Sequence, residues 1–561
     1  MNRARGSRWW AWGVPLGLFV LALVPRLLGR LPLNNTDELL WIHRTVNFWT
    51  ALSQGDWAGT LQSLHPGVVP PWGFGAMLLA RYDLAQLQAW NVADDRVVLE
   101  MARTMALFPV LLTSLTVSVG YCWLRRVAGR WVALFAGIML ALEPLYLTHS
   151  SFLHLDATLA SLMFLAALAW LVYLLDGGER RFLALSGVLT GLAIMTKIPA
   201  VYLLPFALLA AGVTYLVRVG ALWGSSSWRE IGRLAAAYGV LLILCGVTIF
   251  LVWPVLWVDA PGVLASVVER TGSHVDLSQS IPIYLMGEIV PDPGMLYYGI
   301  VLVFRLRPLT LVCASLAVLL LPFFWRRLPA TKRAAWTLGI AYPLFYFIQM
   351  SLGGQKLGRY LLPMFPALDV LAAVALVAGT SRLARARTRR VVLVVLSILI
   401  IVLSLPWLRL APYYSTYYNP LAGGAAGANR LITVGGGEGL DVAAEYLNEK
   451  PEAQDLLVAS FYFPVLDYYF QGSAQRPNVR SWAGLPVTAD YVVITNAQRQ
   501  RNIYTATLNF FGTRLPEETV RINGFEYAWV YSVPRRVLSA PPPIQYPSDA
   551  NFEGRVRLLG H

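Results

Sequence analysis

Acidic residues occur at the ends of apolar stretches, where a carboxylate could do chemistry at a membrane surface. Asp37 and Glu38 follow the first apolar stretch of the sequence, and Asp156 stands at the head of a later one. A carboxylate in such a place could take the proton from a hydroxyl group whose oxygen attacks an electrophilic carbon. Partial burial would raise the pKa of the carboxyl and make it a stronger base near neutral pH. Each acid could instead be a solvated loop residue, or a first-turn residue that the helix dipole favours.

Basic residues take similar positions later in the sequence. Arg305 and Arg307 precede one apolar stretch, Lys356 and Arg359 precede another, and Lys197 lies at a short turn. Such side chains could stabilise negative charge on a departing phosphate group. Any one of them could also be an anchor whose charged end reaches the membrane surface. Together, the acids and bases suit transfer of a sugar from a lipid-linked phosphate donor.

Two histidines, His65 and His154, are further candidates for the same site. They could bind a divalent metal with the acids, but no His-x-x-x-His or similar spacing supports such a site. The three cysteines lie in apolar runs and have neither metal-ligand spacing nor an evident disulfide partner. The sequence therefore predicts no metal site and no bound cofactor, and it leaves metal dependence open.

The composition is that of a membrane protein. Of the 561 residues, 57% are hydrophobic and only 14% are charged, and the mean hydropathy is +0.55. Soluble domains average about 45–50% apolar and about 25% charged residues, so this chain has too few polar residues to cover a soluble surface. The net charge of +14 comes from basic residues between apolar runs. That pattern is typical of membrane topology and does not indicate a nucleic-acid partner.

About eleven transmembrane helices are predicted. A hydrocarbon core about 30 Å thick requires roughly 20 apolar residues of helix. Runs of this kind lie at 9–29, 104–124, 131–147, 157–175, 182–196, 199–217, 234–257, 308–325, 334–350, 360–379 and 391–408. The runs 182–196 and 199–217 are separated at Lys197-Ile198-Pro199, because proline disfavours continuation of a helix.

Positive charge predicts the orientation of these spans. With the N-terminus in the cytoplasm, the cytoplasmic segments hold 20 Lys and Arg residues and the short loops on the other side hold three. Cytoplasmic loops are enriched in Lys and Arg, so this placement is favoured. The long loops 30–103 and 258–307 then face outwards, together with the tail and the candidate site residues. No A-x-A-like cleavage site follows the first span, which indicates a retained signal anchor.

The tail, residues 410–561, is predicted to form an extracytoplasmic α/β domain after a membrane domain at 1–409. A helix is expected at 438–449 and strands at 456–459, 491–494 and 527–531. The glycine run at 435–437 lacks the Lys-Ser/Thr pair of a phosphate-binding loop. It therefore predicts a turn or a helix start in preference to a nucleotide site.

Several motifs resemble those of glycosyltransferase family 39, which includes protein O-mannosyltransferases and the bacterial aminoarabinose transferase that acts on lipid A. The matching motifs are the Asp-Glu pair after the first span, His65-Pro66-Gly67, the Asp at the head of the fourth span, Thr196–Pro199 and Lys356–Pro366. The last of these is the most specific, and together they span about residues 30–370. There are two departures. His-Pro-Gly replaces the commoner His-Pro-Pro, and the loop 258–307 shows no β-trefoil insertion, so the resemblance does not extend to a protein acceptor.

The resemblance implies an α-helical, GT-C-like membrane fold, a polyprenyl-phosphate-linked sugar as donor, and inversion at the anomeric carbon. It makes Asp37 the expected catalytic base, with Glu38 beside it and Asp156 as a second acid of the site. The residues expected near the donor phosphate are Lys356, Arg359, Arg305, Arg307 and Lys197, and the other site candidates are His65, His154 and Tyr360.

These observations favour a glycosyltransferase in a bacterial plasma membrane that acts on an extracytoplasmic protein, lipid or glycan. The main alternative is a polytopic transporter or lipid flippase, which eleven spans would also permit. Transporters usually show internal repeats and polar sites near the bilayer midplane, and this sequence shows no convincing repeat. An inactive receptor whose tail binds a partner is a third possibility. Activity that survives substitution of Asp37 would favour it.

Overall fold

The protein is described by a computed structural model, which covers residues 9–30, 35–89, 95–219, 225–275, 283–383, 385–477 and 489–534. The chain divides into two compact units, Met1–Thr433 and Val434–His561. The boundary predicted near residue 410 stays a prediction, and residues 410–433 belong to the first unit.

The first unit is helical, and much of it is long and apolar enough to cross a membrane. In the described part of the chain, eight such spans occur, at Trp10–Leu28, Val97–Val127, Leu155–Leu175, Ile198–Val217, Trp228–Val252, Pro308–Arg327, Gly358–Gly379 and Ala386–Leu408. A ninth is possible if Arg130–Ala141 and Pro144–Ser150, which meet at an angle of 59°, form one bent span. The chain is therefore a multi-pass membrane protein.

The predicted number of eleven spans is not confirmed. Two of the predicted runs coincide with the helices Arg180–Thr196 and Ala330–Leu352, which are not among the helices that are long and apolar enough to span a membrane. The predicted break between neighbouring runs is present, because the first of these helices ends at Thr196 and a 3-10 helix, Ile198–Tyr202, begins two residues later. Lys197 has an extended backbone. Pro199 prevents the helix from continuing, because it has no backbone N–H to donate and its ring would clash with the carbonyl four residues before it.

The helix Leu155–Leu175 lies at the centre of the first unit. It is apolar on all sides, and 78% of its most apolar window is buried inside the protein. A helix that is hydrophobic all round is buried by its neighbours. Small residues such as Ala160 and Ser161 are fully covered, and they allow neighbouring helices to approach closely. The first turn of this central helix carries Asp156.

The two long loops of the sequence contain regular structure. The region 30–103 includes the helices Thr36–Gln54, Val69–Leu79, Leu84–Ala89 and Asp95–Met105. The region 258–307 includes most of the helix Leu256–Val275, the antiparallel strands β1 (Ile283–Leu285) and β2 (Glu288–Val290), and the helix Leu296–Arg305. Other α-helices in the described part of the first unit are Val14–Leu28, Leu107–Val127, Leu203–Val219, Ser225–Val252, Pro308–Phe324, Phe365–Gly379 and Gly424–Leu431.

The second unit is a small α/β domain, as the alternating sequence pattern predicts. Its strands are β3 (Leu457–Ser460), β4 (Ser473–Gln475), β5 (Tyr491–Thr495), β6 (Glu518–Ile522) and β7 (Phe525–Ser532). They form a sheet in the order β4-β3-β5-β7-β6, in which β3 is parallel to β4 and β5 and β7 is antiparallel to its neighbours. Its helices are Leu440–Asn448, Phe463–Leu466, Asn496–Gln500 and Thr505–Gly512.

A tight turn and a packed helix stabilise this sheet. Strands β6 and β7 are joined by Asn523 and Gly524, both at positive φ, which is the turn that Asn-Gly favours in a tight hairpin. The helix Leu440–Asn448 buries Leu440, Ala443 and Leu447 against the sheet. The expected helix and three expected strands are found, whereas β4 and β6 were not predicted. The described helices and sheet confirm the predicted fold class of a polytopic helical protein with an additional α/β domain.

Candidate active site

The helix Thr36–Gln54 begins with a capping box that uses Glu38 and leaves Asp37 accessible. The Asn35 side chain accepts a hydrogen bond from the backbone N–H of Asp37 at 2.9 Å, and Glu38 Oε1 accepts one from the Asn35 backbone at 3.3 Å. Glu38 Oε2 also accepts a hydrogen bond from the backbone N–H of Leu153 at 3.3 Å. Glu38 is therefore a buried link between this helix start and the segment before the central helix. The Asp37 side chain remains 39% exposed.

His154 and Arg359 both contact the Asp37 carboxylate. Asp37 Oδ2 lies 3.2 Å from Nε2 of His154 and 3.1 Å from a terminal guanidinium nitrogen of Arg359. Burial raises the pKa of Asp37, but the hydrogen bond from His154 and the positive charges of His154 and Arg359 lower it further, so the net pKa is well below its ordinary value. The expectation of a raised pKa for Asp37 is thus wrong. The carboxylate is ionised, and it is a weaker base than a free aspartate.

Asp156 is the buried centre of this group. Its side chain is 1% exposed, and Oδ1 accepts a hydrogen bond from Lys197 Nζ at 2.8 Å. Its other oxygen lies 3.3 Å from Nε of Arg359 and 3.1 Å from Nδ1 of His154. Because Asp156 contacts both cations and the imidazole, it fixes their positions relative to Asp37. A buried carboxylate with this many partners is suited to orienting other groups and has no access to an acceptor.

The His154 ring bridges the two aspartates. His154 is the N-cap residue of the helix Leu155–Leu175, and its backbone has the extended conformation usual at that position. Burial lowers the pKa of His154, but the negative charge of Asp156 and hydrogen bonds to Asp156 and Asp37 outweigh this, and the net pKa is raised. Lys197 and Arg359 balance the charges of the two aspartates, so a proton on His154 gives these five side chains a net positive charge. Such a site favours an anionic ligand.

Lys197 and Tyr360 form the other side of the group. Lys197 Nζ lies 4.0 Å from the centre of the Tyr360 ring, a cation–π contact. The backbone carbonyl of Tyr360 accepts a hydrogen bond from the Tyr346 hydroxyl at 3.1 Å. Because Tyr360 adjoins Arg359 in the 3-10 helix Gly358–Met364, the segment places one cation and one aromatic surface in the same site.

Lys356 lies outside this network of contacts. Its side chain is 2% exposed, and its Nζ donates a hydrogen bond to Asp292 Oδ1 at 2.7 Å. That hydrogen bond, with another from the backbone N–H of Gly294, lowers the pKa of Asp292. The predicted assignment of Lys356 to the donor phosphate stays a prediction, and it would require the contact with Asp292 to open.

The two arginines predicted before the eighth span are held by other partners. Arg305 donates hydrogen bonds to the backbone carbonyls of Ser415 and Tyr417, at 2.7 and 3.0 Å, and to the Tyr418 hydroxyl at 2.8 Å. Arg307 is buried between two carboxylates. Its Nε lies 2.6 Å from Glu143 and a terminal nitrogen lies 2.9 Å from Asp369. These contacts do not bring either arginine to Asp37.

The His-Pro-Gly turn orients the next helix and explains the departure from His-Pro-Pro. Gly67 has a φ of +62°, and a Cβ atom there would lie 2.6 Å from the Trp41 ring. Proline fixes φ near −65°, so it cannot adopt this conformation. His65 packs edge-on against Trp41, with ring centres 6.4 Å apart. The next backbone N–H, that of Val68, donates a hydrogen bond to the carbonyl of Met195 at 2.8 Å.

Two residues near the site were not predicted. Arg44 lies two turns after Asp37 on the same helix, and the negative charge of Asp37 raises its pKa although burial lowers it by more. Helical spacing could have indicated this pair, since positions seven apart share one face. Asp292 had no sequence signal of its own. No group of three or more His, Cys, Asp or Glu side chains in the described part of the chain is arranged to hold a metal ion.

The comparisons with known proteins agree with the predicted resemblance. The family model for dolichyl-phosphate-mannose-protein mannosyltransferases matches residues 75–259, about a third of the chain. The match includes His154, Asp156 and Lys197. It confirms the resemblance to this family. The class of protein that it indicates is a membrane glycosyltransferase. No curated protein sequence matches the chain.

Three solved structures are similar over different shares of the chain. ArnT from Cupriavidus metallidurans, bound to undecaprenyl phosphate, is 16% identical with a TM-score of 0.48, and the alignment covers 93% of this chain and 98% of ArnT. The oligosaccharyltransferase AglB from Archaeoglobus fulgidus is 14% identical with a TM-score of 0.49 over 90% of this chain and 71% of AglB. The S. cerevisiae protein O-mannosyltransferase Pmt1-Pmt2 complex, bound to the sugar donor, is 20% identical with a TM-score of 0.35. The alignment covers 43% of this chain and 32% of the matched chain.

Proposed function

We propose that this protein transfers a sugar from a polyprenyl-phosphate-linked donor to an extracytoplasmic acceptor, with inversion, and that Asp37 is the general base. The observation that carries the proposal is the difference between the two aspartates of the site. Asp37 is 39% exposed and Asp156 is 1% exposed, although both contact His154 and Arg359. An accessible carboxylate can reach a substrate hydroxyl, and a buried one can hold the surrounding cations in place.

The proposed reaction is a single displacement at the anomeric carbon. An acceptor hydroxyl attacks this carbon, and its proton passes to the Asp37 carboxylate. The bond between the anomeric carbon and the donor phosphate oxygen breaks, and its electron pair stays on the polyprenyl phosphate. Arg359 and Lys197 lie next to Asp37 and Asp156, where they would stabilise the negative charge that develops on the leaving group.

Donor binding would also increase the base strength of Asp37. His154 lowers the pKa of the Asp37 carboxyl most, and Arg359, which contacts the same carboxylate, lowers it further. A donor phosphate would compete with Asp37 for this guanidinium. Once Arg359 contacts the phosphate, the pKa of Asp37 rises, so the carboxylate becomes a better proton acceptor only when a donor is present.

The proposal is tested with the purified full-length protein in nanodiscs and a panel of polyprenyl-phosphate sugars. Release of polyprenyl phosphate is followed with and without candidate acceptors. Asp37→Asn should reduce release from the preferred donor by roughly 100- to 10,000-fold, the contribution of a general base. Asp455→Asn, which alters an exposed carboxylate in the second unit, is the matched control and should keep full activity. Full activity in Asp37→Asn would exclude the base assignment. Movement of lipid between the leaflets of reconstituted vesicles without bond cleavage would favour a flippase.

A further inference from the structure

A cavity of about 410 Å³ lies in the first unit, away from the Asp37 site. It is lined by Leu171 near the end of the helix Leu155–Leu175 and by Ala378 near the end of Phe365–Gly379. Asp156 is at the other end of the first of these helices, 15 residues from Leu171, which corresponds to about 22 Å at 1.5 Å per residue. The cavity is therefore separate from the candidate active site. Its volume falls in the range of about 300–1,000 Å³ that is typical of small-molecule sites.

The walls of this cavity are apolar, and its charged residues are all basic. Phe164, Phe206 and Leu338 are among the apolar lining residues. The charged side chains that line it are Arg327, Lys332 and Arg389, which we term the rim cations. Arg327 is the last residue of a 3-10 helix, and Lys332 and Arg389 each lie in the first turn of an α-helix. In the described part of the chain, no acidic side chain lines the cavity and no ion pair neutralises a rim cation.

Two hydrogen-bond donors also line the cavity without partners. The indole Nε1 of Trp336 and the hydroxyl of Tyr342 are buried and have no hydrogen-bond partner among the described residues. Trp336 is four residues after Lys332 on the same helix face, so it lies one turn deeper than that cation. A buried donor without an acceptor is costly, and a ligand oxygen one turn below the charged end would remove this cost.

We propose that the cavity binds an anionic diacyl phospholipid of the leaflet opposite the Asp37 site. The acyl chain would occupy the apolar walls, and the phosphate would lie among the rim cations. The ester oxygens, which lie between phosphate and chain, would accept a hydrogen bond from the indole N–H of Trp336. A polyprenyl phosphate has a phosphate and an apolar chain but no ester oxygens, so it matches the cavity less well.

The position of the rim cations agrees with this occupant. They belong to the segments 326–333 and 380–390, which are predicted to be cytoplasmic because they are rich in Lys and Arg. The cytoplasmic leaflet is the one that carries anionic lipid, and each basic residue near its surface contributes about 1 kcal/mol to the attraction. The proposal does not depend on the glycosyltransferase reaction.

The test measures which lipid the intact protein retains. Full-length protein in detergent is incubated with dioleoyl-phosphatidylglycerol, dioleoyl-phosphatidylcholine or undecaprenyl phosphate, and bound lipid is measured by native mass spectrometry. The wild type should prefer phosphatidylglycerol. Lys332→Gln with Arg389→Gln should weaken its binding by about 30-fold, the equivalent of about 1 kcal/mol for each cation removed. The matched control is Arg385→Gln with Arg387→Gln, which removes the same charge from exposed residues that do not line the cavity.

A second variant tests the cavity itself. A Cβ at Gly339 would meet Leu371 at an ordinary 3.6 Å, and Gly339→Leu would extend a side chain into the space. Loss of phosphatidylglycerol from Gly339→Leu, with thermal unfolding unchanged, would support the proposal. If Gly339→Leu does not fold, the comparison of the two double variants decides the result. Equal retention in those double variants would overturn the proposal, as would equal binding of both phospholipids or preferential retention of polyprenyl phosphate.

Discussion

A terminal guanidinium nitrogen of Arg359 lies 3.1 Å from Asp37 Oδ2, although the two residues are 322 positions apart in the sequence. The same guanidinium, through Nε, lies 3.3 Å from Asp156. Arg359 thus joins an accessible carboxylate to a buried one. The planar guanidinium can do this because its nitrogens point in fixed and different directions, a geometry that a lysine ammonium lacks.

Arg359→Lys should therefore lower kcat/KM for the donor even though the charge is kept. The variant loses one of two charge-assisted contacts, each worth about 1.5–3 kcal/mol, so we expect a decrease of roughly ten- to hundredfold. Steady-state release of polyprenyl phosphate measures the effect. Arg326→Lys changes an exposed arginine and should behave as the wild type. Full activity in Arg359→Lys would show that bridging the two aspartates is unnecessary.

The raised pKa of His154 predicts a loss of stability with rising pH. A group that binds its proton more tightly in the folded state stabilises that state fully below its unfolded pKa, about 6.5 for histidine. This contribution disappears as the pH rises through the higher folded pKa of His154. The lowered pKa of Asp37 affects stability in a different pH range. Its contribution is present above about pH 3.9, the ordinary pKa of aspartate, and is lost only as the pH falls below that value.

Thermal unfolding between pH 5.5 and 8.5 tests the His154 prediction. The wild type should lose stability across this interval, and His154→Gln should show a smaller slope because glutamine does not titrate. The comparison with His154→Gln separates the contribution of His154 from that of every other titratable group. An identical slope in the two proteins would contradict the prediction.

Lys356 and Asp292 provide a test of the predicted phosphate contact. If the donor phosphate binds Lys356, the Asp292 carboxylate, 2.7 Å away, competes with it. Lys356→Gln should then raise KM for the donor by about tenfold, and Asp292→Asn should lower it, because an uncharged amide competes less well. Initial rates at several donor concentrations separate KM from kcat. If both variants lose thermal stability and keep the wild-type KM, the pair has a structural role.

Arg307 is predicted to be essential for folding stability. It lies between Glu143 and Asp369, and all three side chains are at most 2% exposed. Arg307→Met would leave two buried carboxylates without their cation, which should cost about 3–5 kcal/mol. Thermal unfolding in detergent and the yield of monodisperse protein measure this effect. The control is Arg326→Met at an exposed position. A stable Arg307→Met variant with a raised donor KM would instead support the phosphate role predicted for Arg307.

The glycine of the His-Pro-Gly turn gives a further prediction. Gly67→Ala should destabilise the protein by about 1–3 kcal/mol because of its positive φ, with an added cost from the contact with Trp41. Gly67→Pro, which restores the commoner motif, should be worse because proline cannot adopt that φ. Thermal unfolding is compared with that of Gly212→Ala, whose new Cβ would meet no atom within 4 Å. Wild-type stability in Gly67→Pro would contradict the explanation given for this turn.

The sequence by itself determined the class of fold and much of the composition of the site. Apolar runs of membrane length are visible without a structure because the hydrocarbon core sets their length and polarity. The break at Lys197-Ile198-Pro199 and most strands of the α/β domain were predictable for a similar reason, since proline and alternation act locally. The motifs around Asp37, Asp156 and Arg359 also named residues that the structure brings together.

Only the tertiary structure decided what each of these residues contacts. Glu38 is next to Asp37 in sequence, but a helix turns successive side chains by about 100°, so one caps the helix and the other faces the site. Arg307 and Lys356 resemble Arg359 in the sequence, yet their partners are Glu143, Asp369 and Asp292. Even the direction of the pKa shift of Asp37 was decided by the folded chain. Burial and charge act on it in opposite directions, and the cations that decide the balance come from remote segments.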